Sequence, residues 1–219
     1  MKRPQIFFEE PYKEVKKAIA ENVKDGFRII DLGCGDGELE EEINSKFKKC
    51  VVYCIDKNKK SLETLKSKKF ENVSVEIIEQ DANEFLNETA LKDIDAILIN
   101  TILHEINDPS SKKLYLKVFF KILKRVLKEG GKVILGDYFY PPEVSDKEVE
   151  EFIEHQKKEI GHADKRNKFV EPEILKKTAM KEGFKVVYLN DIRAIKEINR
   201  RYYCLVLEKN LEEEYEDTD

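Results

Sequence analysis

Seven consecutive residues, Asp31-Leu32-Gly33-Cys34-Gly35-Asp36-Gly37, combine two carboxylates with three of the chain's nine glycines. Glycines at that density let a backbone approach a ligand closely and take up positive φ. The spacing is G-x-G-x-G, which is neither the G-x-G-x-x-G of dinucleotide folds nor the G-x-x-x-x-G-K-[ST] of a phosphate loop. The charge around it has one sign. Asp31, Asp36, Glu38, Glu40, Glu41 and Glu42 surround the glycines, and no Lys or Arg occurs between Arg28 and Lys46. A pyrophosphate would meet repulsion where it needs donors and positive potential, whereas a cationic ligand would be favoured. Two more acids follow. Asp56, with Lys57 after it, lies nineteen residues beyond Gly37, where a carboxylate can accept both hydroxyls of an unphosphorylated ribose. Asp81 precedes Ala82, and further on Asn100 is followed at four residues by His104 beside Glu105. Histidine is the side chain whose proton moves most readily near neutral pH.

The elements that must position these groups alternate. FRIIDL at 27–32, VVYCID at 51–56, VSVEIIEQD at 73–81, DAILIN at 95–100 and GGKVILGDY at 130–138 read as strands. Between them GELEEEINSKF, KKSLETLKSK, a short turn after Asp81 and the stretch 110–128 read as helices, and another is expected over 11–24 before the first strand. Strands that are nearly all apolar predict a parallel sheet covered on both faces, hence an α/β doubly wound fold. Asp31, Asp56 and Asp81 then close three successive strands and line one edge of the sheet. After Tyr138 the pattern becomes polar and aromatic over 138–170, with a helix expected at 145–160; this segment reads as an insertion on the substrate side. A helix from Pro172 to Gly183 leads to strands at 184–191 and 201–209, and the loop of about ten residues between them favours an antiparallel pair.

A nucleoside that carries positive charge in place of phosphate fits this set of acids, and S-adenosylmethionine, with its sulfonium and α-amino group, is such a molecule. Over residues 27–138 the chain resembles the class I S-adenosylmethionine-dependent methyltransferases. Asp31, Gly33, Gly35 and Gly37 match the glycine-rich motif of that family, Asp56 its ribose acid, and Asp81 with Ala82 the position beside the adenine; Lys57 and Asn100 join them as expected cofactor-binding residues. The LKEGGKVILGD run at 127–137 resembles the segment ending the family's fifth strand. The resemblance implies a mostly parallel seven-stranded sheet of order 3-2-1-4-5-7-6, its last strand antiparallel, with helices on both faces. It implies an enzyme that binds S-adenosylmethionine and transfers its methyl group.

In-line displacement at a sulfonium asks the protein to align the acceptor and, for a hydroxyl, to remove its proton. The stretch around His104 resembles the corresponding segment of plant-type small-molecule O-methyltransferases, where a His acts as the base; Glu105 matches the acid after it, but Ile106 stands where those enzymes carry Trp. His104 is therefore the candidate catalytic residue, the bland alternative being a histidine that packs at a helix entry. The fourth strand does not end in Asn/Asp-Pro-Pro-Tyr/Phe, the signature of the amino-methylating branch. Tyr138, Tyr140 and His155 are the candidate substrate-binding residues, and Phe152 is expected to pack. His155 and His162 lie seven apart with Gly161 between, so no two-His metal site is expected. A small-molecule acceptor is favoured; RNA or protein as acceptor, or a non-catalytic cofactor-binding protein, are the competing readings. The basic residues of the C-terminal half, Arg166, Lys168 and Arg201 among them, have acids interleaved and read as ion-paired surface. A nicotinamide-dependent oxidoreductase would need the other glycine spacing.

Composition sets the frame. The 219 residues, 41% hydrophobic and 39% charged, suit one core, since cores stop growing near roughly 250 residues. We expect a single domain over 1–209, with 1–26 as an N-terminal helix and lid to which Phe7, Phe8 and Tyr12 contribute, and an acidic tail at 210–219. That tail holds six acids and no base, so the net charge of −5 leaves the remainder at +1. No segment has the roughly 18 apolar residues of a membrane span, and the N-terminus lacks the pattern of a signal peptide; a soluble, cytoplasmic protein is expected. Cys34, Cys50, Cys54 and Cys204 show neither a CxxC pair nor a His at ligand spacing, so buried thiols are expected and a zinc site or disulfide is not.

Overall fold

A computed structural model describes residues 9–107, 112–161, 163–195 and 198–211. Phe7 and Phe8 of the expected lid, His162, and the tail from 212 onward lie outside the described residues. In chain order the elements are α1 Glu9–Asn22, β1 Arg28–Leu32, α2 Glu38–Lys46, β2 Val51–Asp56, α3 Lys59–Ser67, β3 Ser74–Glu79, α4 Ala82–Glu88, β4 Ile94–Asn100, α5 Leu103–Ile106, α6 Lys112–Val126, β5 Leu127–Phe139, α7 Asp146–Ile160, α8 Pro172–Lys181, β6 Phe184–Ile195 and β7 Arg200–Lys209. A 3-10 turn, Arg166–Lys168, lies between α7 and α8.

The sheet has seven strands in the order β3-β2-β1-β4-β5-β7-β6. β1 pairs in parallel with β2 and β4, and β3 and β5 extend the parallel part on either side. β7 runs antiparallel to both β5 and β6. The expected order and the expected antiparallel strand are both present. Every residue of β4 is buried, the signature of a central strand covered on two faces. On one face Ile29, Val52, Leu98 and Ile134 meet α1, α2 and α3 through Ile19, Ile43 and Leu65. On the other Ile30, Ile97, Val133 and Leu205 meet α4, α6 and α8 through Phe85, Phe120 and Leu175. The period of two along each strand thus divides one run of apolar residues between two cores.

Three expectations shift. The last two strands extend to Ile195 and back to Arg200, so the link between them is four residues, 196–199, and not about ten. β3 stops at Glu79, and Asp81 is the N-cap of α4, its side chain accepting from the backbone N–H of Asn83 at 2.9 Å. β5 starts at Leu127, three residues early, with a register shift against β4 between Ile94 and Ala96. The helix expected at 145–160 forms as α7, with Ser145 and Glu148 making a reciprocal capping box and Gly161 closing it at φ 74°. All four cysteines are free and buried. Among the described residues no helix is long and apolar enough to cross a membrane.

Candidate active site

The carboxyl ends of β1, β2, β4 and β5 meet at one edge of the sheet, at the point where the strand order turns from β1 toward β2 on one side and β4 on the other. In open α/β sheets that switch point is where ligands bind. The glycine loop leaves β1 here. Its turn is held to the neighbouring strand, because Gly33 N–H donates to Ile55 O at 2.7 Å and Cys34 N–H to the same oxygen at 3.2 Å. Gly33, Gly35 and Gly37 all have positive φ. At Gly33 a Cβ would stand 2.4 Å from Ile102 Cδ1, and at Gly37 2.3 Å from Leu65 Cδ1. At Gly35 nothing lies within 4 Å, so the middle of the loop faces open space.

Asp56 ties the loop to β2. Its Oδ2 accepts from Gly35 N–H at 2.9 Å and its Oδ1 from Asn58 N–H at 2.7 Å, so the acid that ends β2 fixes the glycine beside it. Each of those oxygens keeps a second lone pair for an incoming hydroxyl. Asp81 stands across from it and pairs with Lys57 Nζ at 3.1 Å. Burial raises the Asp81 carboxyl, but Lys57 and the backbone N–H groups of α4 outweigh it and hold the group below its ordinary range. Ala82 is buried behind it. Asp31 is 1% exposed beneath Gly33. Burial first, and the nearby Glu40 second, push its carboxyl well above the usual range. Asn100, buried at the end of β4, accepts at Oδ1 from the Tyr202 hydroxyl at 2.6 Å. The expected cofactor residues are therefore gathered at one edge.

His104 is the second residue of α5, just beyond β4, and is 7% exposed. Its Nδ1 lies 2.8 Å from Asp137 Oδ1, and its backbone N–H donates to Asp137 Oδ2 at 2.8 Å. Tyr138 N–H also donates to Asp137 Oδ1, at 2.7 Å. Asp137 at the end of β5 accepts all three, so Nδ1 of His104 carries a proton and Nε2 is left to face the segment after α7. There Asp164 Oδ2 stands 3.7 Å from it. Phe169 stacks on the imidazole at 4.9 Å, and Asn107 Nδ2 donates to Lys168 O at 2.9 Å, which anchors that segment to α5.

Tyr138 and Tyr140 are both buried, and Tyr140 also lines a cavity together with Phe139, Arg166, Asn167 and Phe169. The guanidinium of Arg200 lies over both rings, at 4.5 and 5.3 Å, and over Phe169 at 4.7 Å. Phe152 packs into the core on the α1 face as expected. His155 is exposed on α7 and is not drawn into this cluster. Asp137, Asp164 and Arg200 are the residues that sequence reasoning missed. For Asp137 a signal existed, since a lone carboxylate in the apolar run KVILGDYF is costly to bury without partners.

Residues 23–201 match a family model described as a methyltransferase domain. By sequence, no curated protein matches. Among solved structures, an S-adenosylmethionine-dependent methyltransferase from Methanosarcina mazei superposes with a TM-score of 0.64 at 17% identity, over 89% of this chain and 98% of that one. The cyclopropane synthase MmaA2 of Mycobacterium tuberculosis gives 0.69 at 12%, over 95% and 87%. A phosphoethanolamine N-methyltransferase of Haemonchus contortus, in complex with phosphomonomethylethanolamine and S-adenosylhomocysteine, gives 0.65 at 15%, over 91% and 53%. At these identities the likeness is one of fold.

Proposed function

The chain belongs to the methyltransferase-domain family, and on that premise we propose that it transfers a methyl group from S-adenosylmethionine to a hydroxyl of a small molecule, with His104 taking the hydroxyl proton. When bound, the donor supplies a methyl group already activated on a positively charged sulfur. The chain supplies a place for it. Gly35 leaves the loop open to close approach, Asp56 offers free lone pairs to ribose hydroxyls, and the local excess of carboxylate suits a cationic nucleoside. Asp81 with Ala82 would hold the adenine, as the family resemblance implies.

The observation that carries the acceptor reading is the Asp137–His104 pair. A proton fixed on Nδ1 leaves Nε2 as the basic atom, and a carboxylate at Nδ1 stabilises the imidazolium formed when Nε2 takes a proton. Without an aligned base, a neutral hydroxyl attacks poorly. Segment 138–170 closes the acceptor side, since Phe169 and Asp164 reach His104 from it. A small acceptor is supported by the ion pairing of the basic residues: Arg166 pairs with Asp146, Lys168 with Asp164 and Arg201 with Asp191. Such paired groups have little charge left to track a phosphate backbone.

Methyl incorporation from labelled donor into small-molecule, RNA and protein fractions of the native source tests the reading. We expect label in the small-molecule fraction; label confined to RNA or protein would replace that acceptor class. Once the substrate is known, unchanged turnover in His104→Ala would remove the proposed base.

A further inference from the structure

Arg200, the first residue of β7, is a buried cation without an anion. It is 8% exposed, and no carboxylate pairs with it among the described residues. Its Nη1 donates to a neutral acceptor, Gln156 Oε1, at 3.4 Å, which is long for such a bond, and its buried Nε–H has no partner among the described residues. The acids of the surrounding segment are already engaged, Asp164 with Lys168 at 2.7 Å and Asp146 with Arg166 at 3.0 Å. The rings of Tyr138, Tyr140 and Phe169 attract the charge, but a ring face does not replace an oxygen at Nε–H. An unmet buried donor is costly, and more so when it carries charge.

A second donor beside it has the same defect. Tyr140 is 2% exposed, and its buried hydroxyl has no partner among the described residues. Both groups belong to the acceptor side of the candidate site. Tyr140 and Phe169 line a cavity of about 350 Å³ with Phe139 and Arg166, a volume suited to a small molecule. Phe169 also stacks on His104 at 4.9 Å and lies 4.7 Å from the guanidinium, so one ring touches both the candidate base and the unpaired cation. Arg200 is as open to a ligand as His104.

We propose that Arg200, with the Tyr140 hydroxyl, binds an anionic group of the methyl acceptor, a carboxylate or a phosphate, while the acceptor's hydroxyl lies at Nε2 of His104. The inference rests on the proposed methylation of a small hydroxylated molecule and names its class, a hydroxylated acid. A guanidinium suits the task, because its planar fork meets two oxygens at once and stays charged at physiological pH. Arg200 selects the acceptor and takes no part in the proton transfer.

The acceptor's charge is read first on the product. Labelled donor is incubated with the unmodified chain and the small-molecule fraction of the native source, and the labelled product is purified and weighed by mass spectrometry. It should carry a carboxylate or a phosphate; phosphatase removes the second and leaves the first. A labelled product with neither would overturn the proposal, and this outcome needs no variant. In Arg200→Gln, the apparent KM for that fraction, read from a dilution series, should rise about 10- to 100-fold, the worth of a hydrogen bond to a charged group, while the Kd for S-adenosylhomocysteine stays as it was. Arg200→Lys, which keeps the charge without the fork, should recover part of that loss. An unchanged KM in Arg200→Gln, or an equal loss of S-adenosylhomocysteine affinity, which would give Arg200 to the donor, would also overturn it. Label found only in RNA or protein would instead remove the small-molecule acceptor on which the inference rests, and failure of the unmodified chain to bind S-adenosylhomocysteine would remove the donor reading itself.

Discussion

Asp137 accepts both the backbone N–H of His104 and its ring Nδ1–H, each at 2.8 Å, so one carboxylate at the end of β5 fixes the main chain and the side chain of a residue in the single turn of α5. Thirty-three residues separate the two in sequence. Parallel pairing of β4 with β5 brings Asn100 opposite Gly136 and so puts the two strand ends side by side. The candidate base therefore owes its orientation to a neighbouring strand.

The pH dependence of this pair has a definite sign. Burial pulls the His104 pKa down, but the charge and hydrogen bond of Asp137, then Asp164 and Glu105, outweigh it and raise the value above the ordinary one. A raised folded pKa means that the charged ring stabilises the fold; that contribution is complete below about pH 6.5 and is lost as pH rises through the folded value. Turnover runs the other way, because a base must be neutral at Nε2. Rate should rise through a midpoint above about 6.5. In Asp137→Asn the midpoint should move down and kcat should drop by about 100-fold or more. Paired pH–rate and pH–melting profiles of the two proteins check both halves.

Gly35 and Gly33 should respond differently to alanine. Both have positive φ, which costs an L residue about 1–2 kcal/mol. At Gly35 the new methyl meets nothing, whereas at Gly33 it strikes Ile102 Cδ1 at 2.4 Å. Gly35→Ala should keep most of the melting temperature while weakening S-adenosylhomocysteine binding, and a bulky residue there should abolish it. Gly33→Ala should lower stability too. Thermal melts beside ligand titrations separate the two; undiminished affinity in a bulky Gly35 variant would show that the open face is not the cofactor's.

Gly136→Ala tests how Asn100 is held. A Cβ there would stand 1.8 Å from the Tyr202 hydroxyl and 2.8 Å from Val15 Cγ2, so the hydroxyl reaches Asn100 only because residue 136 has no side chain. Overpacking should cost about 1–3 kcal/mol or more. Tyr202→Phe should cost about 0.5–1.5 kcal/mol, the value of one hydrogen bond. Denaturant melts of both variants give the comparison, and an equal cost would mean that the steric part is absorbed elsewhere.

Asp81 and Lys57 form an ion pair whose lysine is 65% exposed, and exposed pairs contribute little. Lys57→Ala should change stability by less than about 1 kcal/mol. Asp81→Ala removes the N-cap of α4 as well and should cost about 1 kcal/mol. If Asp81 lies beside the adenine, it should also weaken S-adenosylhomocysteine binding, measured against Lys57→Ala as the reference.

The chain's own order of residues determined the α/β alternation, the glycine turn at the end of β1 and the acids at the ends of β2 and before α4. All of these are local: a β-branched run stops at glycines, an acid follows at a readable distance, and short-range sterics suffice. Even the buried thiols follow from the spacing of the cysteines. The partnerships are not local. Glu40 sits in a run of four acids within five residues and is indistinguishable there from Glu41 or Glu42; only the packing of α2 onto β1 and β2 turns Glu40 inward against Asp31 and Cys54 and leaves Glu41 to pair outside with Lys68. Arg200 reads as one more base in a basic stretch, and only antiparallel pairing of β7 with β5 lays it over Tyr138 and Tyr140. The link before it is four residues and not the ten that the sequence suggests for the same reason, since strand ends are set by the partner they pair with. Where the backbone turns is legible residue by residue, because turning depends on the residue itself; tertiary structure decided which charges face one another, because that depends on elements distant along the chain coming to share one sheet edge.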